Sequence, residues 1–94
     1  MSRTELLADL RRLKPWLAGH GVSGLSLFGS YARDEAGPES DVDLLVHFER
    51  MPGLAFFGLE RELSERLGLP VELCTAEAMH PLARARAEAE AIVV

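Results

Sequence analysis

The chain has 94 residues, 48% hydrophobic and 27% charged, a balance that suits one globular domain over residues 1–94 and excludes a low-complexity or disordered protein. Fifteen acidic against ten basic residues give a formal net charge of −5, which disfavours a long nucleic-acid strand as a ligand. The single cysteine, Cys74, excludes an intramolecular disulfide, no apolar run approaches the roughly 20 residues of a membrane span, and the start is charged rather than leader-like, so a soluble cytoplasmic protein is expected.

The first predicted element is a helix over residues 4–18. Thr4 is its expected N-cap, Glu5 lies in the first turn, and Leu6, Leu10, Leu13 and Leu17 recur at helical spacing. Pro15 is expected to kink or divide it, and Gly19-His20-Gly21 to end it. "VSGLSLFG" reads as a strand. "SYARDEAG" reads as a short helix, with Ser30 as cap and Gly37-Pro38 as stop. "DVDLLVHF" reads as a strand buried on both faces in its middle.

After a turn at Met51-Pro52-Gly53, Leu54 to Leu67 is the clearest helix, with Phe56, Leu59, Leu63 and Leu67 on one face and Gly68 as its end. Phe56 and Phe57 are adjacent and cannot both face the core, so one is expected to mark a partner surface. "PVELCT" is a short strand. "PLARARAEAEA" alternates with period two, yet its residue types favour a helix, with Pro81 in the first turn and Arg84–Glu88 and Arg86–Glu90 at pairing distance. "AIVV" closes the chain as an edge strand. Trp16 and Cys74 read as packing residues, and His20, His47 and His80 as residues without chemistry. The elements together predict an α/β (α+β) fold: a small mixed sheet with its helices mainly on one face.

The chemistry concentrates in "LFGSYARDEAGPESDVDLLVHF". On a strand, residues two apart face the same way, so Asp41 and Asp43 share a face with Cα atoms roughly 6.6 to 6.8 Å apart. Two short carboxylates at that spacing can converge on a hard cation, and Mg²⁺ favours a few carboxylates completed by water and phosphate oxygens. Gly29-Ser30 stands where a strand gives way to a helix. There a phosphate can approach the backbone and meet free N–H groups at a helix start. Arg33, one turn on, can reach a phosphate oxygen or pair with a nearby acid.

One ligand touching both motifs requires the first two strands to be antiparallel neighbours. The helix from residue 54 to 67 then makes a crossover of a length that suits a parallel third strand. That strand brings its one acid, Glu72, beside Asp41 and Asp43, while Val71 and Leu73 face the core. Glu72 is therefore the expected third carboxylate.

Gly-Ser, ten residues, then Asp-x-Asp resembles the signature of the DNA polymerase beta-type nucleotidyltransferase superfamily. "LSLFGSYAR", "SDVDLLV" and the brevity of the chain resemble its smallest branch, the minimal nucleotidyltransferases, over nearly the whole length. The resemblance implies a nucleotidyltransferase fold and transfer of AMP from ATP. It implies divalent metal, two Mg²⁺ ions with Mn²⁺ as a substitute, held by Asp41, Asp43 and Glu72, and triphosphate contacts from Gly29 and Ser30, with Arg33 beside them. It also implies an antitoxin role, in which the acceptor is a tyrosine of a HEPN-domain toxin. Two positions depart from the family pattern. Asp34 stands where glycine is usual, and aspartate tolerates the left-handed conformation such a turn needs. Glu72 stands where aspartate is usual, which leaves its role open between metal ligand and general base. Two rival readings are a binding module that blocks a toxin by contact alone and a transferase for a small molecule. Base preference and homo-oligomer formation are left open.

Overall fold

Ser2, rather than Thr4, starts the first helix. In the computed structural model of the chain, which describes residues 1–94, the Glu5 N–H donates to the Ser2 hydroxyl at 3.1 Å and the Ser2 N–H donates back to the Glu5 carboxylate at 3.1 Å. This reciprocal box satisfies two N–H groups that a helix start leaves free. The helix, α1 (Arg3–Gly19), runs through Pro15 without being divided. Leu10 and Leu17 on either side of the proline are buried in the same core, and that shared packing outweighs the lost hydrogen bond. Trp16 packs beside that core, with the His20 ring edge-on at 4.8 Å and the Arg66 guanidinium 4.4 Å over its face.

Strand β1 (Val22–Phe28) leads into α2 (Gly29–Ala32), which is a single turn. The expected helix to Gly37 stops early, and Ser30 lies inside it rather than capping it. Asp34 ends the turn with φ +61°, so the left-handed conformation expected of it is present. Strand β2 (Val42–Phe48) follows, then α3 (Ala55–Leu67), β3 (Val71–Cys74), a 3-10 turn at Ala76–Ala78 that the sequence reading did not include, α4 (Pro81–Glu90) and β4 (Ile92–Val93). Gly68 ends α3 at φ +71°, where a residue with a Cβ is strained. The His80 Nδ1 accepts from the Leu82 N–H at 3.2 Å and so caps α4.

The sheet order is β3-β2-β1-β4, with β1 antiparallel to both β2 and β4 and β2 parallel to β3. Helix α3 makes the crossover to the parallel strand, as its length requires. Leu25 and Leu27 of β1, Val42, Leu44 and Val46 of β2, and Leu73 of β3 form one core with Leu6, Leu10 and Leu17 of α1 and Leu59, Leu63 and Leu67 of α3. The two long helices thus share one face. On the other face Leu45 is buried, with the 3-10 turn lying against β2, and Ala87 is the buried residue of α4. That face also carries Asp43, because strand side chains alternate.

Candidate active site

The site forms where three neighbouring strands come into register. Phe28, the last residue of β1, pairs with Asp43, and Asp43 pairs with Glu72 across the parallel ladder. Directly paired residues on adjacent strands point to the same side, about 5 Å apart. Asp43 and Glu72 are therefore neighbours on the face away from the main core. Asp41 precedes β2 and is exposed, so the strand pleat does not hold it as it holds Asp43. The chain's tight turn after Phe28 places Gly29 against Asp43. A Cβ built on Gly29 would overlap the Asp43 carboxylate and lie 3.1 Å from its Cγ. Gly29 also has φ +76°, so glycine is required there on two independent grounds.

Burial first, then the charges of Glu72 and Asp41, pushes the Asp43 carboxyl up to about 6, with Arg33 pulling the other way. The two neighbouring carboxylates thus add to burial in disfavouring the ionised form, and Arg33 offsets part of that. Burial, followed by the charges of Glu72, Asp43 and Glu60, raises the Cys74 thiol to about 11. It stays protonated near neutral pH and acts as a half-buried packing residue.

The sequence reading missed Glu90, the last residue of α4. Its Oε1 accepts from the Gly29 N–H at 3.0 Å, and both carboxylate oxygens accept from Arg33 Nη1, at 3.1 and 3.0 Å. Burial disfavours the Glu90 carboxylate, but the Arg33 and Gly29 hydrogen bonds outweigh it and hold the group below the usual carboxylate range. Arg33 is also bonded to Glu35 at 3.3 Å. Nothing in the sequence joins Glu90 to a glycine 61 residues away; the Arg86–Glu90 spacing reads only as helix support. Gly29, Ser30, Arg33, Asp43, Arg86 and Glu90 line one cavity of about 360 Å³.

No three His, Cys, Asp or Glu side chains are gathered tightly enough to hold a metal ion by themselves. The donor set nevertheless fits Mg²⁺, which needs only a few carboxylate oxygens beside phosphate and water. Beyond burial, the charges of Glu72 and Asp41 also raise the Asp43 carboxyl, a repulsion that a cation among the three would offset. His47 is exposed on the same strand face, four residues beyond Asp43. Phe57 is exposed, and Phe56 packs on Phe48 with ring centroids 6.1 Å apart. Of the adjacent pair, Phe57 is thus the exposed one, and it lies away from the carboxylates: Phe48 is five residues beyond Asp43, about 17 Å along the strand. The exposed apolar residue on the site's own helix is Leu82, in α4.

This sheet order, with two long helices behind it and a glycine turn facing paired carboxylates, is the nucleotidyltransferase architecture. The chain belongs to the nucleotidyltransferase domain family, which matches residues 4–94. It is 44% identical over 85 residues to MJ0435 of Methanocaldococcus jannaschii, described as a candidate protein adenylyltransferase, covering 89% of this chain and 91% of that one. It is 52% identical over 54 residues to the protein adenylyltransferase MntA of Thermococcus cleftensis, covering 56% and 54% of the two chains. Among solved structures, one described as a candidate minimal nucleotidyltransferase superposes with TM-score 0.86 at 34% identity, covering 100% of this chain and 97% of that one. A chain of a toxin-antitoxin complex with AMP-PNP shares the fold, with TM-score 0.71 at 19% identity, covering 99% of this chain and 72% of that one. The chain is a nucleotidyltransferase.

Proposed function

We propose that this chain transfers AMP from ATP to a tyrosine hydroxyl of a HEPN-domain toxin and so acts as its antitoxin. The observation that carries the reading is the in-register Asp43–Glu72 pair facing Gly29, in a chain of nucleotidyltransferase type. The relatives' description as protein adenylyltransferases supports a protein acceptor, and the toxin-antitoxin complex of like fold supports a toxin as that acceptor.

Asp41, Asp43 and Glu72 would hold Mg²⁺, one or two ions, with Mn²⁺ as a substitute. Bound there, the metal neutralises charge on the attacking and leaving oxygens. Gly29 offers its backbone N–H to the triphosphate, and its missing side chain leaves room for the Asp43 carboxylate beside it; Ser30 adds a hydroxyl and Arg33 a cation. The tyrosine oxygen attacks the α-phosphorus, the bond to the bridging oxygen breaks, and pyrophosphate leaves. Glu72, exposed beside Asp43, accepts the tyrosine proton. Asp41 and Glu72 are exposed, so the site is open on one side, and the partner supplies the missing wall along with the acceptor.

The test is to incubate chain, toxin, ATP and Mg²⁺ and weigh the toxin by intact mass spectrometry. The expected result is one or more adenylyl increments, reduced more than about 100-fold by Asp43→Ala. Neutralisation of the toxin with no mass change, unaffected by Asp43→Ala, would instead establish the contact-only binding module.

A further inference from the structure

Glu90 occupies a position that a carboxylate should avoid. It is the last residue of α4, where the helix dipole presents its negative end. Its hydrogen bonds to the Gly29 N–H and to Arg33 offset that cost. Those are the donors that the function proposed above assigns to phosphate. A second cation of the same cavity, Arg86, lies one turn earlier on α4, at a spacing that pairs residues on a helix surface. The carboxylate is bonded across the cavity to Gly29 and Arg33, and Arg86 on its own helix is within reach of a turned side chain.

We propose that Glu90 is a built-in competitor for the phosphate subsite and sets how many phosphates a ligand must carry to occupy it. The proposal rests on the nucleotide reading of the Gly29–Asp43 site. Because Glu90 is tethered, it meets Arg33 without losing translational freedom. A ligand with one phosphate brings similar chemistry and must also give up its translational freedom. A triphosphate brings more charge and reaches Ser30, Arg33 and Arg86 together. It displaces Glu90, whose carboxylate then turns to Arg86. Once the nucleotide is cleaved, pyrophosphate holds fewer contacts, and the return of Glu90 to Arg33 and Gly29 expels it. Glu90 is a specificity-determining residue that rejects monophosphates and clears product.

The test is calorimetric titration of the chain, in Mg²⁺, with inorganic tripolyphosphate, pyrophosphate and AMP. Glu90→Gln keeps an acceptor for the Gly29 N–H and removes the charge. It is expected to bind tripolyphosphate about tenfold tighter than the wild type and to gain pyrophosphate binding, narrowing the ratio between the two. In an Arg33→Ala background the same substitution is expected to give no gain, because the competition has lost its object. Glu90→Ala is the second variant, should Gln perturb the melting temperature. Equal or weaker tripolyphosphate binding in both Glu90 variants, with native melting, overturns the proposal and makes Glu90 a prop for the Gly29 turn. Absence of phosphate binding in every form overturns it as well. Failure of the nucleotide reading looks different: no adenylyl transfer to the toxin, with the tripolyphosphate gain intact.

Discussion

Asp43 carries the electrostatic tension of the site. Its carboxyl is pushed up to about 6, by burial first and then by Glu72 and Asp41, whereas an aspartate in an unfolded chain ionises near 3.9. A carboxyl raised on folding contributes stability that is fully present below about pH 4 and is lost as pH rises through about 6. Metal-free Asp43→Asn should therefore melt higher than the wild type at about pH 7.5. Asp43 is only half-buried, so screening leaves about 1 kcal/mol, or roughly 4–8 °C in a domain of this size. The gap should shrink as pH falls towards 4.5, roughly the range where both forms are neutral at this position. Differential scanning calorimetry in EDTA measures it, and a pH-independent gap would contradict the assignment. The Asp-x-Asp spacing was legible in the sequence because it is local. The unequal environments of the two aspartates were not, because only pairing with Phe28 and Glu72 makes Asp43 part of a ladder while Asp41 stays outside it.

At the scale of elements, α4 holds the opposite wall of the cavity, and Ala87 is its buried contact, 2% exposed. Ala87→Leu should overpack that contact at a cost of about 1–3 kcal/mol and lift α4 from the sheet. Glu90 moves with it, so the Gly29 amide should exchange with deuterium faster. Leu63→Ala is the contrasting change: it hollows the core under α3 at a cost of about 2–5 kcal/mol, far from Glu90. When matched for global stability with mild denaturant, only Ala87→Leu should expose Gly29. Equal exchange in the two would show that α4 does not protect the turn. The helices α1 and α3 were legible from leucine spacing, and α3 from its terminal glycine. The run at α4 alternates with period two, and only its residue types pointed to a helix. The early end of α2 was not drawn from the sequence, although the left-handed turn at Asp34 that ends it was expected.

For the whole molecule, ligand and fold should be linked. Under the proposed function, ATP with Mg²⁺ binds the folded chain alone. At one hundred times its Kd it should stabilise the chain by about 2.7 kcal/mol, visible as a rise in melting temperature, with much less from either component by itself. The Asp41→Asn, Asp43→Asn double variant should lose that rise, and an equal rise in the variant would remove these carboxylates from the site. Exposed apolar groups lie at both ends of the sheet: Leu82 on α4 beside the candidate site, and Leu54 and Phe57 by α3's start, after β2 has ended. A partner that engages both must span the domain, whose extents are 32 × 30 × 20 Å.

Patterns confined to a few neighbouring residues decided the elements and the central motif. Leucines at helical spacing, the apolar strands and Gly-Ser followed by Asp-x-Asp each declare themselves within a short window, since local geometry repeats along the chain. Topology followed from them by one further step, because a helix of thirteen residues between two strands favours a parallel return. Tertiary structure alone decided that Ser2 caps the first helix, that the aromatic pair lies away from the carboxylates, and that Glu90 closes on Gly29. The first depends on which of two nearby hydroxyls meets the Glu5 N–H, and the second on which end of a strand a helix begins. The third joins residues 61 apart, a distance over which a charged side chain on a helix carries no mark of the partner it will meet.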